Sequence, residues 1–239
     1  MIPKIIHYCW FGGAELPEKD RKCIESWKKF CPDYQIIEWN ENNYDVTKNT
    51  YMYQAYQAKK WGFVPDYARL DIIYQHGGIY LDTDVELVKN LDSLLENDAF
   101  MGFENSDNVS PGLCIAAKAH HPTIGKLMEI YAEREFVHPD GSLDLTPSPV
   151  MNTEALVQMG LKKNNQKQVV AGVTIFPKEY FCPKDYKTGK LTMTDHTYAI
   201  HWFHASWMNP HQKRMMRLRG LLGDRLFFKL VEIKHRISK

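Results

Sequence analysis

Two carboxylates, Asp82 and Asp84, stand one residue apart in the stretch Gly77-Gly78-Ile79-Tyr80-Leu81-Asp82-Thr83-Asp84-Val85-Glu86. Negative charges crowded in this way call for a counter-cation, and hard carboxylate oxygens suit Mn²⁺ or Mg²⁺. A divalent cation that keeps open coordination positions holds a diphosphate. The pair therefore points to nucleotide-sugar chemistry. The blander reading is a strand end entering a polar turn with both acids solvated. The context argues for the functional one, because the acids follow a glycine pair and a short apolar run.

Three further groups carry chemistry. Asp66 and Arg69 lie three apart on a predicted helix, so they share a face. Arginine offers a fork of donors to phosphate or sugar oxygens, and aspartate accepts from sugar hydroxyls. A local surface ion pair is the alternative. Trp10 ends the first predicted strand, where its flat ring can stack on a base, although a tryptophan taken alone is more often a core residue. The late segment Ala199-Ile200-His201-Trp202-Phe203-His204-Ala205-Ser206-Trp207 offers an imidazole for a divalent cation. In it, the Ser206 hydroxyl and the Trp207 indole N–H can donate to phosphate.

These residues need elements to place them. Lys4–Trp10 reads as a buried strand ended by Gly12-Gly13, followed by a helix over Pro17–Cys31 and a strand over Tyr34–Trp39. Asn40–Asn43 is turn chemistry. Helices are predicted over Tyr51–Lys60 and from Pro65 to about His76, and the Gly-Gly pair then lets the chain turn into the motif strand. Further strands are expected over Ala99–Phe103, Gly112–Ala117, Val169–Phe176 and Tyr198–Phe203, a helix over Pro122–Glu135, and a loop over His138–Pro149. Strand–helix–strand order predicts an α/β protein with an open, mostly parallel sheet and helices on both faces. Such sheets bind ligands at the carboxyl ends of their strands.

Bulk properties are those of a globular chain: 239 residues, 44% hydrophobic, 25% charged, formal net charge +1. That charge speaks against a nucleic-acid binder. Five cysteines without a Cys-x-x-Cys pair suggest reduced thiols and a cytoplasmic setting. From His211 to Lys239 nine Lys/Arg face two acids, which gives that segment +7 and leaves the remainder at −6. Leucines and methionines interleave with those bases at helical spacing. Residues 209–239 are therefore expected to form a basic amphipathic helical arm suited to an anionic membrane surface, or to pack back on a domain spanning 1–208.

Taken together, the chain resembles glycosyltransferase family 32, which includes initiating mannosyltransferases and bacterial capsule and O-antigen sugar transferases. More distantly it is similar to the glucosyltransferase domains of clostridial toxins. The resemblance is carried by residues 2–13, by Asp66-Tyr67-Ala68-Arg69 leading into Gly77–Asp84, and by His201 with Ser206-Trp207. It implies a GT-A-like fold and a nucleoside-diphosphate-sugar donor, with UDP-hexose favoured over GDP-mannose. It implies stacking of Trp10 on the donor base, and sugar contacts from Asp66, Arg69 and Asp82. Asp84 would ligate Mn²⁺ or Mg²⁺, with His201 (or His204) beside it and Asp82 acting directly or indirectly. Ser206 and Trp207 would meet the diphosphate. The chain departs from the family in having Pro65 where Ser is common and His201-Trp202 where His-His is common.

The expectation is a metal-dependent retaining hexosyltransferase acting on an oligosaccharide or lipid-linked saccharide, in bacterial surface polysaccharide synthesis at the inner face of the membrane. The acceptor is expected near Glu104–Asn108 and Ser142–Asn152. Two rivals are a non-catalytic sugar-nucleotide-binding scaffold and a haloacid-dehalogenase-like phosphatase. The second usually has Thr or Val where this chain has Glu86, and carries its Asp-x-Asp on the first strand.

Overall fold

A computed structural model describes residues 1–204 and Gly223. The predicted arm, and with it Ser206 and Trp207, lies outside the described residues. Strands β1 (Ile5–Cys9), β2 (Gln35–Trp39) and β3 (Gly78–Tyr80) form one half of a seven-stranded sheet. Strands β5 (Ala99–Gly102), β6 (Ile115–Ala117), β7 (Gln168–Val170) and β8 (Val173–Phe176) form the other. The order is β2-β1-β3-β6-β5-β8-β7. Strands β1, β2, β3, β5 and β8 share one direction, and β6 and β7 oppose it. The open, mostly parallel α/β sheet is thus as expected.

Side chains alternate across this sheet, as the period of a strand requires. Ile6, Tyr8, Ile79, Phe100 and Ala116 pack on one face with Ile24 and Trp27 of α1 (Glu18–Phe30). Tyr80, Ala99, Met101, Ile115 and Ala117 pack on the other. There they meet α2 (Thr50–Gln57), α3 (Val64–His76), α4 (Pro122–Glu129) and α5 (Ser148–Gln158). Helices cover both faces, and both cores are fully closed. All five cysteines are buried and free.

Four expectations are corrected. Val169–Phe176 is a hairpin of two antiparallel strands, β7 and β8, turning at Ala171-Gly172, where both residues have positive φ. The helix expected over Pro122–Glu135 ends at Glu129. Ser148–Gln158 is a helix rather than the tail of a loop, with Pro149 in its first turn, where a missing N–H costs nothing. The last strand, β9 (Ala199–His201), leaves the main sheet and pairs antiparallel with β4 (Val85–Leu87) as a separate ribbon.

The turn between α3 and β3 is built on glycine by necessity. Gly77 and Gly78 have φ of 64° and 98°. A Cβ on Gly78 would lie 2.8 Å from the Ile5 carbonyl oxygen and 2.9 Å from His7 Nε2. His7 is fully buried here. Its Nε2 donates to the Gly77 carbonyl at 3.0 Å, and its Nδ1 accepts from the Trp39 indole at 3.1 Å. Both ring nitrogens are satisfied only in the neutral form.

Burial accordingly holds His7 down to about 4, with His76 adding to the effect against the pull of the Gly77 carbonyl. The neutral ring must take up a proton when the chain unfolds below the ordinary histidine pKa. Its contribution to stability is therefore full above pH 6.5 and is lost as pH falls from there towards 4, up to about 3 kcal/mol. Urea midpoints measured from pH 7 to pH 4.5 should fall more steeply for the wild type than for His7→Gln, which is less stable at pH 7 but lacks this titration. Parallel curves would show that His7 does not carry it.

Candidate functional site

The site gathers where β3 leaves the sheet. The Leu81 N–H donates to the His7 carbonyl at 3.1 Å, which carries the pairing with β1 one residue beyond β3. The Asp82 N–H then donates to the Gly112 carbonyl at 2.9 Å, and the Val85 N–H closes a turn onto the Asp82 carbonyl at 3.0 Å. Asp82 and Asp84 sit on that turn, between β3 and β4.

α3 supplies the Asp66–Arg69 pair, and it is not a surface pair. Arg69 Nη2 donates to Asp66 Oδ1 at 2.9 Å, with both side chains 6% exposed. The same guanidinium lies 3.7 Å from Asp82 Oδ1, and its Nε donates to the Pro65 carbonyl at 3.0 Å. Pro65 thus serves Arg69 through its backbone oxygen, which any residue there supplies. Tyr80 donates its hydroxyl to Asp82 at 3.0 Å and places its ring 5.3 Å from the guanidinium.

The β4–β9 ribbon returns the far end of the chain to this point. His201 stands opposite Val85, and the Trp202 N–H donates to the Asp84 carbonyl at 3.0 Å. His201 Nε2 then lies 3.2 Å from Asp84 Oδ1, while the His204 N–H donates to Asp84 Oδ2 at 2.8 Å. Of the two candidate histidines, His201 joins the carboxylates. One atom each from Asp82, Asp84 and His201 lies within 4.8 Å of the others. The ring of His204 turns instead to Asp20, at 2.6 Å.

The electrostatics are those of crowded anions. Burial pushes up the carboxyls of Asp66, to about 6, and of Asp82 and Glu104. Arg69 pulls Asp66 and Asp82 back down, and neighbouring carboxylates push all three further up. Burial opposes charge on Arg69 too, but Asp82, Tyr80 and Asp66 outweigh it. Asp84 is the exception: despite burial, His201 and the His204 N–H hold it down at about 2. His201 is raised in turn, because Asp84 overcomes the cost of burying its charge.

Two carboxylates and an imidazole suit a hard or borderline divalent cation. His201 Nε2 is the nitrogen that faces the carboxylates. The donor set fits Mn²⁺ or Mg²⁺.

At the carboxyl ends of β1 and β2 lies a cleft of about 610 Å³ lined by Trp10, Gly12, Glu38, Asn40, Glu41 and Trp61, with none of the cluster's residues in its wall. Trp10 donates its indole N–H to the Ala14 carbonyl at 2.6 Å. Gly12, at φ 96°, lies so close under the Trp61 ring that a Cβ would come within 2.7 Å of it. An aromatic-walled cleft with amide and carboxylate acceptors accommodates a flat heterocycle.

Several residues of the site were not read from the sequence. A Cβ on Gly112 would lie 2.1 Å from Asp82 Oδ2 and 2.8 Å from Arg69 Nη1. The signal was a glycine after Ser110-Pro111, indistinguishable from any turn. Glu104, expected at the acceptor, faces the field of Asp82, Asp84 and His201. Ser148, also expected there, hydrogen-bonds Asp66. Trp61 and Asp20 gave no local signal.

This geometry defines an α/β protein with two carboxylates and an imidazole gathered past the end of β3 and an aromatic cleft at the ends of β1 and β2. Residues 17–101 match the family model described as glycosyltransferase sugar-binding region containing DXD motif. That match is in line with the resemblance. An inositol phosphoceramide mannosyltransferase of Schizosaccharomyces pombe is 32% identical over 127 residues, covering 50% of this chain and 34% of its own length. An uncharacterized glycosyltransferase of Acanthamoeba polyphaga mimivirus is 26% identical over 227 residues, covering 89% of this chain and 86% of its own. Among solved structures, the PaToxG glycosyltransferase gives a TM-score of 0.49 at 19% identity, over 66% of this chain and 69% of that one. The chain thus spans about a third of the yeast relative.

Two substitutions test the buried frame. Arg69→Met leaves Asp66 buried without its cation and should cost about 3–5 kcal/mol in urea unfolding, part of which Asp66→Asn/Arg69→Met regains. A double variant no better than the single would mean that the pair is not what stabilises this helix. Gly112→Ala forces a methyl into the Asp82 carboxylate and should cost about 1–3 kcal/mol, read as a lower melting temperature. An unchanged melting temperature would show that the loop yields freely.

Proposed function

We propose that the protein is a metal-dependent retaining glycosyltransferase that moves a hexose from a nucleoside-diphosphate sugar to a saccharide or glycolipid acceptor. The observation that carries this reading is the convergence of Asp82, Asp84 and His201 beside the buried Asp66–Arg69 pair. A divalent cation held there would neutralise the charge that builds on the leaving diphosphate.

The chain's own residues do the rest. Trp10 and the cleft beside it take the base. Arg69, locked by Asp66 and the Pro65 carbonyl, offers its remaining donors to the sugar, as Asp82 offers an acceptor. Fixing the sugar in this way lines up its anomeric carbon with the incoming hydroxyl. The bond from anomeric carbon to phosphate oxygen breaks, and the acceptor oxygen forms the new bond on the same face. The acceptor's proton passes to the departing phosphate, so no enzyme nucleophile is required. Ser206 and Trp207 are assigned to the diphosphate by resemblance alone.

The donor is a UDP-hexose by the same resemblance. The name of the yeast relative, a mannosyltransferase for inositol phosphoceramide, sets a mannosyl donor and a lipid-borne acceptor beside it. Both acceptor classes suit a protein working against a membrane surface, as in bacterial surface polysaccharide synthesis. No helix among the described residues is long and apolar enough to cross a membrane. Surface contact is assigned to the basic segment 209–239.

A panel of UDP- and GDP-sugars should be screened by thermal shift with Mn²⁺ and with EDTA, on wild type and Asp84→Ala. A ligand that binds the folded state alone at a hundred times its dissociation constant stabilises by about 2.7 kcal/mol. One donor should raise the melting temperature only with metal, and Asp84→Ala should abolish the rise. Turnover of that donor, lost in the same variant, separates the enzyme from a binding scaffold. No shift with any donor would overturn the proposal.

A further inference from the structure

Asp20 occupies a position that the packing of α1 reserves for apolar residues. It lies on the face that buries Cys23, Ile24 and Trp27, at spacings of three, four and seven, and it is 0% exposed. Its Oδ1 accepts from His204 Nδ1 at 2.6 Å across 184 residues of chain, while its Oδ2 is buried with no partner among the described residues. A half-satisfied buried carboxylate costs stability, and a leucine there would pack without that cost. Core packing therefore does not account for Asp20.

Its partner does. The His204 peptide N–H donates to Asp84 Oδ2 at 2.8 Å, which leaves Oδ1 as the oxygen facing His201. His204 lies beyond the end of β9, where strand pairing no longer holds the backbone. Its ring, 19% exposed, is held at Nδ1 by Asp20. The rest of α1 grips the same ribbon by polar bonds. Trp27 donates its indole N–H to the Val85 carbonyl at 2.7 Å, and Ser26 Oγ accepts from the Leu87 N–H at 2.8 Å. α1 thus holds β4 at two points and, through Asp20, the residue whose N–H meets Asp84.

We propose that Asp20 is a positioning residue: by holding the His204 ring it fixes the His204 N–H on Asp84 and so sets which Asp84 oxygen faces the cation site. Groups that orient a metal ligand in this way typically contribute ten- to a hundredfold to metal affinity. This inference rests on the proposed cation site at Asp82, Asp84 and His201.

The test is calorimetric titration of the full chain with Mn²⁺ alone, together with melting temperatures in EDTA. Asp20→Leu should bind Mn²⁺ about ten- to a hundredfold more weakly, yet melt in EDTA no lower than wild type, because it removes an incompletely paired buried charge. Asp20→Asn, whose amide oxygen still accepts from Nδ1, should recover most of the affinity. His204→Ala, at a partly exposed position, should lose as much as Asp20→Leu, and the double variant no more than either single, as for two members of one link. Wild-type affinity in Asp20→Leu would overturn the proposal. A parallel fall in affinity and melting temperature that Asn does not rescue would overturn it too, leaving Asp20 a structural residue. A wild-type chain that binds no Mn²⁺ would overturn the cation site itself, and this inference with it.

Discussion

The arrangement at the strand ends is governed by an excess of buried negative charge. Asp66, Asp82, Asp84 and Glu104 lie within one another's field, and a single guanidinium, Arg69, stands among them. Two unit charges 4 Å apart interact by about 4 kcal/mol at the effective dielectric of a protein site. Arg69 is shared between Asp66 and Asp82, and His201 pairs with Asp84, so two cationic groups stand against four carboxyls. Burial is what chiefly raises Asp66, Asp82 and Glu104, and their carboxylate neighbours add to it. A site in this condition selects strongly for positive charge, which is the physical basis for assigning a divalent cation to it.

Much of the fold is explained by the need to hold that charge in place. The Gly77-Gly78 turn lets α3 end against β3, so that Arg69 looks over the tip of the strand that carries Asp82. Gly112 gives up a side chain so that its carbonyl can receive the Asp82 N–H without displacing the carboxylate. The β4–β9 ribbon brings His201 to Asp84 from the far end of the described chain. Each device is a backbone solution, a turn, a close approach or a strand pairing, to a side-chain problem.

This division also explains what was legible in the sequence. β1, α1, β2 and α3, with the acids after β3, announce themselves through local signals: apolar runs, helical spacing and a glycine pair. Asp66, Arg69, Asp82 and Asp84 lie on those elements, and the structure gathers them with His201. β4 has only three residues with Glu86 in the middle, which no periodicity can reveal. The separation of β9 from the main sheet depends on that unseen partner. The single strand expected over Val169–Phe176 is broken by Ala171-Gly172, a turn hidden inside an apolar run. Asp20 stands in a first helical turn, where an acid is ordinary, and its meaning lies in a contact 184 residues away.

The departure at His201-Trp202 has a structural account of the same kind. Successive residues at the end of a strand point to opposite faces, so only one of two adjacent side chains can reach Asp84. His201 does, at 3.2 Å. Trp202 turns the other way, donating its indole N–H to Glu86 at 2.7 Å and taking the Lys184 ammonium over its ring at 4.6 Å. What Asp84 receives from Trp202 is a backbone bond, the N–H that meets its carbonyl. Any residue but proline supplies that bond, so tryptophan in place of a second histidine costs the Asp84 cluster no ligand, while its side chain secures the outer face of the ribbon that holds His201 in position.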